Sequence, residues 1–470
     1  MSEKQSIVHA PSEAEYDQSN PSRWRLLRSK QSQVTVLTLL VICLILRSDP
    51  MRCVLPNSPT PRLTGAAKIL AENPLIDGHN DLLILLRAYY GGHIYNENFT
   101  KSFEEGGLPG EFDVPRLETG QMGGAFWSAF TPCPSDGFDF RDENYATSVR
   151  MTLEQIDLFN RLSERYPKYF TLAHTASEAE SNWKSGKLIS PLIIEGLHQI
   201  GNSASTLRLY HKLGVRYATL TWNCHNIYAD AAIVSIDGES RASKPLHGGL
   251  SKAGQDLILE MNRLGMIVDL AHVSDDTMRD VLAGNKTNNW DGSITPPIFS
   301  HSSARTICPH PRNVPDDILQ LVKKRNSLVM VNFAPDFISC KDVGADTGIP
   351  EFVEETNTID QVVKHIMHMG ELIGYDHVGL GSDFDGIPNT PRGLEDVSKF
   401  PDLINMLLDR GVSEEDAAKI AGRNLLRVWR EVDEVAARLQ KTMNPLEDDL
   451  GLKWMSATHG DTTPIRDIVQ

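Results

Sequence analysis

The chain has little basic surface and lacks two common motifs. Lys and Arg number 46 against 62 Asp and Glu, which gives a formal net charge of -16. Because nucleic-acid phosphates require a basic surface, this balance argues against a nucleic-acid-binding protein. None of the six cysteines forms a C-x-x-C pair, which argues against a thiolate zinc site. No G-x-G-x-x-G fingerprint is present to favour an open, dinucleotide-binding sheet.

The body of the chain contains an even set of four cysteines: Cys133, Cys224, Cys308 and Cys340. Two disulfides are expected if the domain lies in an oxidising compartment, whereas four buried free thiols are the alternative. The number of cysteines does not decide between them. Two N-glycosylation sequons, which begin at Asn98 and Asn285, agree with an oxidising compartment.

The N-terminal region predicts a membrane anchor. Residues 1–33 are polar and carry no periodic apolar pattern, which predicts a disordered, cytosolic tail. The uncharged run Val34–Leu46 is shorter than the roughly 20 residues of a spanning helix, so polar neighbours would have to extend it. A cleaved signal peptide and a buried core helix are alternatives. The preceding basic residues favour a signal anchor over residues 34–50, in a single-pass membrane protein whose catalytic domain is luminal or extracellular.

From residue 59 to residue 440, short apolar runs alternate with amphipathic segments, and residues 441–470 are assigned to a C-terminal tail. Eight alternating units predict an α/β fold, a TIM (β/α)8 barrel, with an open doubly wound sheet as the alternative. A capping box at Ser413 begins a late helix. The clearest helical segments are residues 151–162, 253–264 and 360–373. The candidate strands are Leu75–Ile76, Ala125–Phe130, Leu192–Ile194, Ala218–Thr221, Met266–Ala271, Pro297–Phe299, Leu328–Phe333 and Val378–Leu380.

Five of the candidate strands run into histidine or acidic residues. In a TIM barrel the carboxyl ends of all strands face one mouth, where active sites form. Three imidazoles and several carboxylates at one mouth are the ligand set of zinc or a similar divalent ion. The residues concerned are His79, Asp81, Glu195, His272, His301 and Asp383.

The spacing of these residues predicts a binuclear metal site at the C-terminal face of the barrel. His79 and Asp81 are two apart on an extended strand, so they share one face and can bind one ion. Glu195 has two oxygens and can bridge two ions, and His272 and His301 can hold the second. Two ions about 3.5–4 Å apart bind and ionise one water between them, which predicts hydrolysis of an amide or ester by a metal-bridged hydroxide.

At these residues the sequence resembles the membrane dipeptidase family, and fungal members most closely. The resemblance covers most of residues 70–430 in the same order. It implies a TIM barrel that binds two zinc ions and cleaves dipeptides to free amino acids; members commonly form homodimers, which we also expect here. The matching stretches include PLIDGHNDLL, IIEGLHQI, YATLTWNC, VDLAHVS, FSHSSA, RNVPDDIL and GSDFDGIP.

The resemblance implies a role for each matching residue. His79 and Asp81 match ligands of one zinc, Glu195 the bridge, and His272 and His301 the ligands of the other zinc. Arg312 matches the residue that binds the C-terminal carboxylate of the substrate, through two parallel hydrogen bonds. Asp383 matches the carboxylate that transfers protons and contacts the substrate amine. The resemblance also implies the disulfides Cys133–Cys224 and Cys308–Cys340.

One departure from the family pattern concerns the stabilisation of the tetrahedral intermediate. Members commonly carry a histidine where this chain has Trp222, whose indole N–H donates one hydrogen bond but carries no charge. We hypothesise that His225 substitutes for it from the loop; catalysis by metal polarisation alone is the alternative. Two other functions compete with a dipeptidase. These are another barrel hydrolase of the amidohydrolase type, such as a lactonase or deaminase, and a non-catalytic receptor that keeps the fold.

Overall fold

The computed structural model describes residues 63–236 and 238–448. The predicted tail 1–33 and signal anchor 34–50 lie outside the described residues. Among the helices that are described, none has the length and apolar character needed to cross a membrane. Part of the predicted C-terminal tail is described, and Leu446 N there donates to Glu260 Oε2 at 3.1 Å.

Eight parallel strands form one sheet in which each strand pairs with its neighbour in sequence. They are β1 (Leu75–Asn80), β2 (Met122–Ser128), β3 (Leu192–Glu195), β4 (Val215–Thr219), β5 (Ile267–Asp269), β6 (Ile298–Phe299), β7 (Leu328–Val331) and β8 (Val378–Leu380). A parallel bridge between Asn80 and Phe384 joins the end of β1 to the segment after β8. The sheet is therefore a nearly closed barrel, and the predicted α/β barrel is confirmed.

Helices follow the strands and cover the outside of the sheet. The α-helices are α1 (Gly65–Glu72), α2 (Leu82–Tyr90), α3 (Glu97–Glu105), α4 (Val114–Thr119), α5 (Asp142–Arg165), α6 (Ala176–Lys184), α7 (Ala204–Lys212), α8 (Lys252–Leu264), α9 (Asp275–Ala283), α10 (Asp316–Lys324), α11 (Pro335–Ile338), α12 (Ile359–Ile373), α13 (Phe400–Asp409), α14 (Glu414–Ala418) and α15 (Asn424–Leu439). The predicted cap is present, since Ser413 Oγ accepts from Asp416 N at 3.0 Å.

Short 3-10 turns and one π-turn complete the helical segments. The 3-10 turns are Leu197–Ile200, Lys286–Asn288, Glu354–Thr356, Tyr375–His377 and Val397–Lys399, and the π-turn is Lys419–Arg423. Two antiparallel pairs lie outside the barrel: Ile233–Ile236 with Glu239–Ala242, and Cys340–Lys341 with Glu351–Phe352.

Large side chains fill the interior of the barrel, so it is a packed core and not a pore. Phe126 stacks on Tyr217 with ring centroids 5.5 Å apart, and Trp429 of α15 meets Phe126 edge-on at 5.4 Å. The helix α15 therefore contributes to the same buried cluster as the strands. Tyr217 extends from this cluster to the predicted metal ligand His79, because its hydroxyl lies 2.8 Å from His79 Nδ1.

Two disulfides join loops that follow the strands. Cys133–Cys224 links the loop after β2 to the loop after β4, and Cys308–Cys340 links the loop after β6 to the segment after β7. Both pairings are those that the family resemblance implies. They fix the loops that surround the carboxyl ends of the strands.

Candidate metal centre

The carboxyl ends of four barrel strands bring the five predicted ligands together. His79 lies near the end of β1 and Asp81 directly follows that strand, whereas Glu195 ends β3. His272 and His301 follow β5 and β6. All five side chains are buried. The fold therefore removes them from water at the face where barrel active sites form.

Glu195 lies at the centre, and its two carboxylate oxygens contact different partners. Oε2 is 3.6 Å from His79 Nε2, which is 3.1 Å from Asp81 Oδ2. Oε1 is 2.8 Å from His272 Nε2 and 3.4 Å from His301 Nε2. His79 and Asp81 lie at one oxygen of Glu195, and His272 and His301 lie at the other. These are the two ligand groups that the sequence predicts for a pair of ions. Their occupation by ions stays a prediction.

Hydrogen bonds on the outer edge of two imidazoles place the ring proton on Nδ1. His272 Nδ1 is 2.8 Å from Asn223 Oδ1, which only accepts, so Nδ1 donates. Tyr217 donates its hydroxyl proton to Gly78 O at 3.0 Å. His79 Nδ1, 2.8 Å from the same hydroxyl oxygen, therefore donates to it.

The third imidazole is oriented in the same way by a serine. Ser300 donates its hydroxyl proton to Asp269 Oδ2 at 2.7 Å, so its oxygen accepts from His301 Nδ1 at 2.8 Å. In their neutral forms, all three histidines thus present an unprotonated Nε2 to the centre. Metal-binding histidines are commonly held in this way by an acceptor on the other ring nitrogen.

The donor set fits a divalent cation. When the three imidazoles are neutral, with each ring proton on Nδ1, the contacts between their Nε2 atoms and the carboxylates of Asp81 and Glu195 join acceptors to acceptors. Asp81 Oδ1 is also buried and has no hydrogen-bond partner in the described part of the chain. Buried acceptors without donors are costly unless a cation compensates them. Imidazole with carboxylate is a ligand combination that suits zinc.

The electrostatics of the centre favour positive charge. Although burial opposes its protonation, Tyr217, Glu195 and Asp81 together raise the pKa of His79 well above its ordinary value. Burial lowers the pKa of His272 to about 3 and that of His301 well below its ordinary value. Two imidazoles are therefore neutral at physiological pH, as metal ligands must be, and the third lies in a negative potential that a cation would neutralise.

Two residues at the centre have left-handed backbone conformations. His272 has φ 66° and Asp383 has φ 67°, which costs about 1–2 kcal/mol for a residue with a Cβ. Ala232 N and Thr221 Oγ1 donate to His272 O at 2.7 and 3.1 Å and hold that residue in place. Strain of this kind is concentrated at functional sites.

Asp383 borders the centre but remains half-buried. Its Oδ1 is 4.0 Å from His79 Nε2, and its Oδ2 accepts from Asn332 Nδ2 at 3.1 Å. Burial, reinforced by the charges of Asp81 and Glu195, raises the pKa of Asp383 to about 8. The carboxyl group can therefore hold or release a proton near neutral pH.

Arg312 is a buried cation with unused hydrogen-bond donors. The residue is 1% exposed, and its Nε and Nη1 have no partner in the described part of the chain. Nη2 donates to His301 O at 3.4 Å, and the guanidinium lies over the Phe337 ring at 5.0 Å. Burial lowers its pKa only to about 10, so the side chain stays charged. The free donors of a buried guanidinium beside His301 suit a carboxylate.

Trp222 is a further aromatic residue beside the centre. Its ring centroid is 6.2 Å from that of His272 and 4.9 Å from that of Phe130. His225 is buried, and its Nδ1 is 3.2 Å from Asp230 Oδ1. The substrate-binding roles of Trp222 and His225 stay predictions.

The sequence analysis missed the residues that orient the ligands. Ser300 directly precedes His301 and Asn223 directly follows Trp222, so proximity to the motifs was an available signal. Tyr217 reads as part of an apolar strand and gave no signal. Two further acids, Asp77 within β1 and Asp269 at the end of β5, hold neighbouring strands together: Asp77 Oδ1 accepts from Ser382 N and Asp269 Oδ1 from Ser300 N, each at 2.8 Å.

Comparisons with known proteins agree with this geometry. The family described as membrane dipeptidase (peptidase family M19) matches residues 63–443. Dipeptidase aclJ of Aspergillus oryzae is 45% identical over 389 residues, which cover 82% of this chain and 83% of that protein. An uncharacterized dipeptidase, C3A11.10c of Schizosaccharomyces pombe, is 45% identical over 386 residues, which cover 81% of this chain and 86% of the relative.

A solved structure shows the same architecture. The structure described as dipeptidase AC, a metallo peptidase of family M19, is 26% identical to this chain with a TM-score of 0.63. The similarity covers 77% of this chain and 98% of that one. The prediction of a peptidase is confirmed by these matches. The chain belongs to the membrane dipeptidase family, peptidase family M19, which is a family of metallopeptidases, and it is a hydrolase that acts on peptide bonds.

Proposed function

We propose that this chain binds two zinc ions and hydrolyses dipeptides to their free amino acids. The observation that carries the proposal is the position of Glu195, whose two oxygens contact His79 on one side and His272 and His301 on the other. Three Nε2 atoms face these oxygens, because the other ring nitrogen of each histidine donates its proton to a neighbouring oxygen. The relatives named as dipeptidases support the substrate class.

The residues around the centre provide contacts for both ends of a dipeptide. Arg312 binds the C-terminal carboxylate with the free donors of its buried guanidinium, since Nη1 has no partner in the described part of the chain and Nη2 donates only to His301 O. Asp383, whose Oδ1 is 4.0 Å from His79 Nε2, accepts from the substrate ammonium. Because both termini of the substrate are bound, a longer peptide does not fit. The site therefore selects dipeptides by length.

Zinc ions, when bound at these residues, ionise a water near neutral pH and polarise the scissile carbonyl. Hydrolysis adds that water across the C–N bond, and the leaving nitrogen requires a proton. Asp383 takes the proton from the attacking water and delivers it to the leaving amine, which a pKa of about 8 permits. Asn332 holds the carboxyl group through its hydrogen bond to Oδ2.

Removal of the metal is the direct test of the proposal. Chelation is expected to lower kcat by at least about 10³-fold, because the nucleophile and the carbonyl polarisation are lost together. Two molar equivalents of Zn²⁺ should restore turnover, measured as free amino acid released from a dipeptide and matched by elemental analysis. Full turnover by metal-free protein would contradict zinc catalysis, and full activity with one ion per chain would contradict the binuclear site.

We also propose that the described domain lies in an oxidising compartment, on the luminal or extracellular side of a membrane to which residues 34–50 anchor it. The disulfides Cys133–Cys224 and Cys308–Cys340 support this placement, since such bonds persist outside the reducing cytosol. Asn98 lies exposed on α3, where a glycan would meet no obstacle. Asn285 is half-buried, and its Nδ2 donates to Asp280 Oδ1 at 3.1 Å.

Glycosidase treatment of the protein expressed in its own secretory pathway is expected to increase its gel mobility. Asn98→Gln and Thr100→Ala should each remove the same glycan, because both destroy one sequon. Asn96→Gln, an exposed neighbour outside the sequon, is the matched control and should leave the glycan in place. An unglycosylated protein with four free thiols by mass spectrometry would place the domain in the cytosol.

A further inference from the structure

The loop that carries Asp383 is fastened to a distant segment by a reciprocal pair of hydrogen bonds. Glu111 lies between α3 and α4, and Asp385 lies two residues after Asp383. Asp385 N donates to Glu111 Oε2 at 2.6 Å, and Glu111 N donates to Asp385 Oδ1 at 2.7 Å. Each carboxyl group therefore accepts from the backbone of the other residue, across 274 positions of sequence.

This connection stabilises a strained turn. Asp383 and Asp385 both have left-handed backbone conformations, with φ 67° and 65°, at a cost of about 1–2 kcal/mol each. Within the turn, Gly386 N donates to Asp383 O at 3.1 Å. A strained backbone conformation persists only where contacts with the surrounding structure hold it, and the hydrogen bonds with Glu111 are among those contacts.

The turn is also attached directly to the strand that carries the first pair of ligands. Asp383 N donates to His79 O at 3.1 Å, and Asp81 N donates to Phe384 O at 2.9 Å. Loss of the Glu111 contact would let residues 383–386 relax toward a lower-energy conformation. Asp383 would then move relative to His79, whose Nε2 is 4.0 Å from its Oδ1.

The segment around Glu111 is itself rigid. Val397 N donates to Glu111 O at 3.2 Å, and Arg116 Nη1 donates to Gly110 O at 2.5 Å. Gly110 has φ 89°, and a Cβ there would come 2.3 Å from Asp385 Oδ1, so a side chain at this position would break the contact. Burial and the charge of Glu111 raise the pKa of Asp385 well above its ordinary value, so the pair need not carry two negative charges.

We propose that Glu111 and Asp385 are positioning residues that hold the Asp383 carboxyl group at the metal centre. The inference rests on the proposed function in one respect, that Asp383 transfers the proton during dipeptide hydrolysis. Glu111 touches neither substrate nor ligands in this scheme and acts only through the turn.

The test is a double-mutant cycle on the full chain loaded with Zn²⁺. Glu111→Ala is expected to lower kcat by about 10- to 100-fold, with KM and metal content little changed, because a displacement of about 1 Å can cost that much. Glu111→Gln, which keeps an oxygen acceptor, should restore most of kcat. In an Asp383→Asn background, Glu111→Ala should have no further effect, since the group that it positions no longer transfers protons.

Two controls keep the proposal falsifiable. Glu118→Gln changes an exposed acid on α4 that pairs with Lys168 at 3.0 Å, and it should leave kcat unchanged. Glu111→Asp, which shortens the side chain by one methylene, replaces Glu111→Ala if the latter fails to fold. The proposal would be overturned if both Glu111→Ala and Glu111→Asp kept the wild-type kcat. It would also be overturned if Glu111→Ala lowered kcat by the same factor in the wild type and in Asp383→Asn. Wild-type activity of Asp383→Asn alone would instead overturn the role given to Asp383 in the proposed function.

Discussion

Glu195→Gln is expected to lower kcat/KM for a dipeptide by at least about 10³-fold, which corresponds to about 4 kcal/mol of transition-state stabilisation. Glutamine keeps the shape of the side chain but replaces one ligand oxygen with an NH₂ group. Because Oε1 and Oε2 contact different histidines, either orientation of the amide removes an anion from one of the two groups. Elemental analysis should show loss of metal together with activity.

The same substitution also acts on the metal-free protein. In the wild type without metal, the raised pKa of His79 makes its imidazole a cation, and although burial opposes it, that charge holds the pKa of Glu195 well below its ordinary value. Because the carboxylate of Glu195 therefore stabilises the fold, the variant should unfold at a lower temperature than wild type when both are kept in chelator. Glu195→Gln that retains two ions and full turnover would show that Glu195 is not a ligand.

A matched control is available in a half-buried acid of α15. Asp433 accepts from Ala176 N at 2.8 Å, and burial raises its pKa to about 6. Asp433→Asn keeps the acceptor oxygen at a position where burial already opposes the charged form. It should leave metal content and kcat/KM unchanged, so that a loss confined to Glu195→Gln is attributable to the metal centre.

The barrel could be predicted because strands that are buried on both faces read as apolar runs. The errors lie where a strand departs from that pattern. β4 begins at Val215, three residues before the predicted run, because Arg216 interrupts the apolar sequence while its guanidinium donates to the carbonyls of His174 and His211. β2 likewise begins before Ala125, at Met122, because the two glycines that follow Met122 add no hydrophobicity. A Cβ at Gly124 would come 2.3 Å from Ile189 O, so close packing requires the glycine there.

The ligands could be predicted because strand ends of a barrel converge, but their supporting contacts could not. Tyr217 supports His79 from 138 residues away, and no local pattern distinguishes it from an ordinary core tyrosine. Asn332 supports Asp383 in the same way from the end of β7. These pairs depend on strand register and side-chain direction, which are properties of the closed barrel. Arg312 lies in a loop without periodicity, and only the resemblance to the family indicated its role.

Arg312→Met is expected to abolish the preference of the enzyme for a free C-terminal carboxylate. For a dipeptide, kcat/KM should fall by about 10³-fold, the effect of removing one partner of a buried charge pair. For the corresponding dipeptide amide, which has no carboxylate, the change should be less than about 5-fold on the same reasoning. Arg312→Lys should fall between these values, because an ammonium keeps the charge but cannot form two parallel bonds.

The free protein supplies an independent readout of the same role. An arginine that is 1% exposed, with Nε and Nη1 unpaired, destabilises the fold until a substrate carboxylate compensates it. Arg312→Met should therefore raise the melting temperature of the substrate-free protein while it destroys selectivity. Arg305 is the matched control, since its guanidinium contacts both oxygens of Asp275 at 2.6 and 2.7 Å.

Arg305→Met should lower the melting temperature and leave the ratio of dipeptide to amide turnover unchanged. The two substitutions thus distinguish a guanidinium that stabilises the fold, that of Arg305, from one whose donors bind the substrate, that of Arg312. An equal loss of activity toward dipeptide and amide in Arg312→Met would show that Arg312 does not bind the carboxylate, because a group that recognises that charge must distinguish the two substrates.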